Sequence, residues 1–225
     1  MLVSAPRRHE VARMRPRVQQ MFNEIAHRYD FLNHLLSMGL DRGWRTRALR
    51  LLEWTSNPEG RFLDVCAGTL DVSVALASDR GFRGEVIAVD FSESMLRGGT
   101  AKRLGLPVHP VAGDAMRLPV RDASCAGAIV AFGIRNVAEM DLGLREMTRV
   151  LAPGARLVIL EFTTPPSAPV RMAYHAYFHH VVPLIGGWIS GKPDAYRYLP
   201  ESVAAFPAPD QQGERVADAG LTEEA

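Results

Sequence analysis

The chain has 225 residues, 47% of them hydrophobic and 23% charged, with a formal net charge of +1. That length buries a core without disulfides or metal, and the near-neutral balance sets up no overall field toward nucleic acid. Two cysteines, Cys66 and Cys125, exclude a disulfide framework and a Cys-rich zinc site and suit a reducing, cytoplasmic setting.

Residues 1–16 include Arg7, Arg8, Arg13 and Arg15 but no apolar h-region, so they read as a disordered basic tail and not as a secretory signal. From 17 to 225 one domain in three parts is expected: a helical cap over 17–55, an α/β core over 60–163 and a helical segment over 164–219. Within 17–37, Val18, Met21, Phe22, Ile25, Tyr29, Leu32, Leu35 and Leu36 recur at helical spacing. A turn at Gly39 precedes a second helix over 42–54.

At Arg61 the pattern switches to alternation. Short apolar runs at 61–67, 84–91, 107–114, 125–133 and 153–162 read as strands. Helical patterns at 70–79, 92–105 and 136–151 separate them, with a short irregular segment after the third strand. This is the pattern of βαβ units, and right-handed crossovers then give a Rossmann-like, doubly wound parallel α/β sheet. Beyond Phe162 the chain is rich in aromatic residues and prolines, with helices expected at 167–182, 194–205 and 208–219. No apolar run reaches the ~18 residues of a membrane span. His175, His179 and His180 share a helical spacing but have no carboxylate or cysteine partner, so no metal site is expected.

In doubly wound sheets ligands sit at the carboxyl ends of the strands. The first strand holds Asp64 and exits through Gly68 and Thr69. Glycine there lets the backbone approach a ligand, and the following helix N-terminus suits a carboxylate or a phosphate. The second strand ends in Asp90, placed to accept hydrogen bonds from two ribose hydroxyls. The third ends in Asp114 and Ala115, an acid to accept from an exocyclic amine and an N–H to meet a ring nitrogen. The fourth ends in a polar turn with Gly133, Arg135 and Asn136. Together these tips describe a nucleoside cofactor. A nicotinamide dinucleotide wants G-x-G-x-x-G for its pyrophosphate, which "AGTLD" lacks. S-adenosylmethionine (AdoMet), with an amino-acid tail and no phosphate, does not need it.

Over residues 18 to 220 the chain resembles the class I AdoMet-dependent methyltransferases, and within them the C-methyltransferases of quinone biosynthesis. The resemblance rests on "MFNEIAHRYDFLNHLLSMGLDRGWR", "LDVCAGTLD", "VDFSESML", "GDAMRLP", "FGIRNV", "REMTRVLAPGARLVILEF" and "YHAYFHHVVPLIGGWISGKPDAYRYLPESVAAFP". It implies that Thr69, Asp90, Asp114 and Ala115 hold AdoMet, and the reading of the first strand exit adds Gly68 and Asp64 to that set. It also implies C-methylation of a polyprenylated quinol: demethylmenaquinol, or the benzoquinol precursor of ubiquinol. Arg135 would stabilise the ring phenolate, Asn136 would orient the ring, and Tyr29 would close over the site.

The chain departs from the resemblance in four places. Leu70 stands where a glycine is usual, Ala67 where a glycine or cysteine is usual, and Ala131 where a serine is usual. The chain stops after "ADAGLTEEA", where two more strands are usual. Leu70 is therefore expected at positive φ and in the space of the methionine tail. A five-stranded sheet with an open edge is expected too, which pairing between copies would cover. The aromatic segment 172–190 would make a groove for the prenyl tail or a patch for peripheral contact with a membrane. Two alternatives stay open: a methyltransferase for another small aromatic or lipid, and a catalytically impaired relative that binds lipid or a partner.

Overall fold

The structure is a computed structural model that describes residues 18–24, 26, 29–163, 165, 167–177, 182 and 193–224. Five parallel strands form one sheet: β1 Arg61–Val65, β2 Glu85–Asp90, β3 Val108–Ala112, β4 Cys125–Ala131 and β5 Leu151–Leu160, in the order β3-β2-β1-β4-β5. The chain runs outward from β1 to β3, then crosses back to place β4 on the other side of β1. The strand order thus reverses between β1 and β4, and there the strand exits separate to leave a crevice.

Helices flank both faces: α1 Tyr29–Leu36, α2 Leu40–Leu51, α3 Asp71–Ala77, α4 Glu93–Gly98, α5 Met140–Val150, α6 Ala168–Ala176, α7 Pro193–Ala205 and α8 Pro209–Asp218. The backbone is also helical from 18 to 24. The period of two along β1 splits the core. Phe62 joins Leu49 of α2, Leu52 just after it and Leu76 of α3, whereas Leu63 and Val65 join Leu144 and Met147 of α5. The outer edge of β5 pairs with no strand among the described residues, as the sequence suggests.

Two elements differ from expectation. The helix expected over 92–105 ends at Gly98. Ser92 caps its start by accepting from the Met95 N–H at 3.2 Å. At the other end a Cβ on Gly99 would lie 2.5 Å from the Thr69 carbonyl oxygen and 2.6 Å from Leu70 Cγ. The glycine lets α4 close directly onto the turn after β1, and turns follow in place of helix. The helix expected over 17–37 is described only as 18–24 and Tyr29–Leu36. The expected tail 1–16 and most of 178–192 lie outside the described residues.

Leu70 does sit at φ +69. Its side chain, however, is fully buried in the core against α2 and α3 and does not line the crevice, which corrects the expected clash with a bound methionine tail. Emptying a core leucine position costs about 2–5 kcal/mol, and removing a Cβ from a left-handed residue returns about 1–2 kcal/mol. Leu70→Gly is therefore expected to lose up to about 4 kcal/mol in urea unfolding and to leave AdoMet affinity unchanged. A gain in affinity would show that the leucine obstructs the site.

Candidate active site

The crevice at the strand exits encloses ≈ 730 Å³, part of it open to solvent. Cys66 and Gly68 form its wall at β1. Asp90 and Phe91 follow at β2, Gly113, Asp114 and Ala115 at β3, and Ala131, Phe132 and Asn136 beyond β4. The β1 and β4 exits touch: a Cβ on Gly133 would lie 2.3 Å from Cys66 Cβ, so only glycine fits there.

Asp90 organises the centre. Its Oδ2 accepts from the Gly68 N–H and its Oδ1 from the Ser92 N–H, both at 2.8 Å. The carboxylate is thus held by two backbone donors, with lone pairs left for a diol. Burial pushes its pKa up, opposed by the Ser92 and Gly68 hydrogen bonds. One strand over, Asp114 Oδ1 accepts from the Met116 N–H at 3.0 Å, a local turn that presents Ala115 to the crevice.

A cover lies over this centre. Val18 and Phe22 of the 18–24 helix line the crevice. Gln19 Nε2 donates to the Phe91 carbonyl at 2.6 Å, and Phe22 meets Phe91 edge-on at 6.2 Å. Asn23 Oδ1 accepts from the Ser92 hydroxyl at 2.7 Å. A charged chain anchors α1 below: Asp30 pairs with Lys102, which reaches Asp71 at 2.6 Å, and Asp71 pairs with Arg45 at 2.9 Å.

Of the residues singled out in the sequence, Gly68, Asp90, Asp114, Ala115 and Asn136 meet at the crevice. Thr69 is buried beside it and gives its hydroxyl to Asp30. Asp64 lies beneath the turn, where its Oδ2 accepts from the Ser73 hydroxyl at 2.6 Å and the Ser73 N–H at 3.1 Å. Arg135 points away from the crevice into a buried ion pair with Glu161, and also donates to the Phe132 carbonyl at 2.7 Å. The Tyr29 side chain lies outside the described residues.

Sequence reasoning missed Cys66, Glu161 and Tyr198. Tyr198, from α7, donates to Asn136 Oδ1 at 2.9 Å. Burial pushes the Cys66 thiol well above its usual range, and the charges of Asp90, Asp64, Glu161 and Asp114 push it further. The thiol stays protonated and is no nucleophile.

The Asp90 and Asp114 carboxylates at the crevice favour a cationic group such as a sulfonium and oppose a pyrophosphate. With the Asp90 carboxylate and the small residues of the β3 exit lining one crevice, the residues present fit AdoMet.

Burial raises Asp64 to about 7, with the Ser73 hydrogen bonds opposing and the Asp90 charge adding. The folded state therefore keeps a proton that the unfolded chain releases near pH 4. Stability from this group is fully present below pH 4 and is lost as pH rises toward about 7. Unfolding of wild type and Asp64→Asn across that window is expected to show a slope difference of up to about 1.4 kcal/mol per pH unit. Parallel curves would show that Asp64 ionises normally.

The reversed strand order, the acidic β2 tip and the glycine turn without a phosphate loop define a class I AdoMet-dependent methyltransferase. The chain belongs to the ubiE/COQ5 methyltransferase family, whose profile matches residues 10–224. It is 45% identical over 204 residues to the demethylmenaquinone methyltransferase of Thermus thermophilus, covering 90% of this chain and 91% of that protein. It is 42% identical over 213 residues to the ubiquinone/menaquinone biosynthesis C-methyltransferase UbiE of Geotalea daltonii, covering 91% and 88%. In fold it is similar to a SAM-dependent methyltransferase from Thermotoga maritima, with a TM-score of 0.63, 20% identity, and 91% and 81% of the two chains covered.

Proposed function

We propose that the chain transfers a methyl group from AdoMet to a ring carbon of a polyprenylated quinol, with demethylmenaquinol as the first substrate to test. The observation that carries this reading is the polar turn at the β4 exit. Asn136 borders the same crevice as Asp90, and Tyr198 holds its carboxamide oxygen. The names of the Thermus and Geotalea relatives support the quinone substrate.

AdoMet, when bound, supplies an already activated sulfonium methyl. The chain's own work is then alignment and water exclusion. Asp90 takes the ribose hydroxyls, Asp114 and Ala115 the adenine, and the Gly68 turn the methionine end. With its oxygen held by Tyr198, Asn136 has its amide N–H groups left to donate, and these would steady a ring oxygen as it loses its proton. That proton passes to water at the open mouth of the crevice, which makes the neighbouring ring carbon nucleophilic; once the methyl has joined, that carbon's own hydrogen leaves as a proton and restores the ring. Arg135 acts through Asn136: fastened to Glu161 and the Phe132 carbonyl, it fixes the turn that carries the amide. Thr69 and Asp64 set the β1 turn, while the 18–24 helix closes the top.

The prenyl tail of such a quinol resides in a bilayer, so the chain would work at the cytoplasmic face of a membrane by peripheral contact. No helix among the described residues is long and apolar enough to cross one. A second copy would pair along the outer edge of β5.

The test supplies methyl-labelled AdoMet and demethylmenaquinol with a single prenyl unit to the purified protein. Label is expected in the methylated quinol, with S-adenosylhomocysteine formed in equal amount. Label that stays in AdoMet while the protein binds it would refute the quinol reading.

A further inference from the structure

The opening helices carry apolar side chains on the wrong side for a core. Leu36 of α1 faces inward, where it packs in a cluster with Val182 and its carbonyl accepts from the Tyr177 hydroxyl at 2.6 Å. Elsewhere on α1 and in the turn after it, Phe31 is 60% exposed, Leu35 43% and Met38 75%. Along α2 the exposed positions Leu40, Arg47 and Leu51 recur at helical spacing, with Arg42 and Arg50 also exposed. Single exposed hydrophobics are ordinary on a protein surface, but this series runs along two consecutive helices.

The charge of the chain is divided at the same place. Residues 1–51 hold ten arginines against four carboxylates, whereas the rest hold sixteen Lys and Arg against twenty-one carboxylates. Of the four, Asp30 is paired with Lys102, and Asp41 is buried against Arg45 and His34. The exposed apolar residues therefore stand in the basic part of a chain that is otherwise acidic.

Bulky apolar side chains ringed by arginine form the pattern that seats a helix at an anionic lipid surface. We infer that Phe31, Leu35, Met38 and Leu40, with the exposed Arg47 and Arg50 on the Leu40 side of α2, form the face that docks this protein on an anionic bilayer. A second copy is a poor occupant, because two such basic faces repel. The position serves the site. Met21 and Phe22 of the helix that roofs the crevice pack in one cluster with Leu36 of α1, and Asp30 of α1 accepts from the Thr69 hydroxyl beside the crevice. The inference rests on the quinol reading for its purpose, though not for its geometry.

The test uses the full chain with vesicles of phosphatidylcholine, with and without phosphatidylglycerol. Wild type is expected to float with the anionic vesicles and to stay behind with the neutral ones. Phe31→Ser/Met38→Ser should lower flotation about tenfold or more, and Arg47→Glu/Arg50→Glu about twentyfold or more. AdoMet affinity and the rate on single-prenyl demethylmenaquinol should stay at wild type in both variants, while the rate on long-chain quinol in anionic vesicles falls with flotation. Unchanged flotation in both variants overturns the inference. So does a dimer that the apolar variant dissolves, or binding to nucleic acid in place of vesicles. If flotation responds as expected but neither quinol is methylated, the docking face stands and the quinol reading fails.

Discussion

Asp90→Ala is expected to weaken AdoMet binding by about 100-fold or more. In the proposed reading the carboxylate accepts from a ribose diol, and each charge-assisted hydrogen bond contributes about 1.5–3 kcal/mol, so losing two spans about 10²- to 10⁴-fold. The substitution also strands the N–H groups of Gly68 and Ser92, which donate to the two carboxylate oxygens at 2.8 Å. Stability should fall by about 1–3 kcal/mol per stranded group that water does not reach. Asp90→Asn is no gentle control, because its NH2 must face one of those two donors. Titration calorimetry at a temperature where thermal unfolding shows the variant folded separates the effects. An affinity within threefold of wild type would mean that Asp90 holds the turn but not the ligand.

The second large effect is expected at Glu161. Its carboxylate and the Arg135 guanidinium are buried together, with side-chain exposures of 2% and 7%. Removing one partner of such a pair leaves an uncompensated buried charge and costs about 3–5 kcal/mol, whereas replacing both with apolar groups is often neutral. Glu161→Ala should therefore lose about 3–5 kcal/mol in chemical unfolding, and Arg135→Met/Glu161→Leu should recover most of it. Because Arg135 is placed behind Asn136, the double variant should retain AdoMet affinity. If the single variant is as stable as wild type, the ion pair does not hold the β4 exit.

The sequence made the strand exits legible because alternation and glycine turns are local signals. Asp90 and Asp114 each end a strand that the pattern locates within a few residues, so their convergence needs only the rule that ligands sit at carboxyl ends. The direction of Leu70 was not legible. Its positive φ follows from the motif, but whether its side chain enters the crevice or the core depends on α4 closing over the turn at Gly99, a contact between distant segments. The role of Arg135 was hidden for a similar reason. Its partner Glu161 lies 26 residues on, at the end of β5, and β4–β5 pairing brings them together. Tyr198 stood inside a recognised block, yet its link to Asn136 spans 62 residues.

The central claim is that neighbouring strand tips build one cleft for an adenosine-bearing methyl donor. Calorimetric titration of the purified wild-type chain with AdoMet tests it most directly. The account predicts saturable one-to-one binding in the micromolar range, competed by S-adenosylhomocysteine and lost in Asp90→Ala. A folded wild-type protein that gives no binding heat at millimolar AdoMet, and no shift in its unfolding temperature, would contradict it.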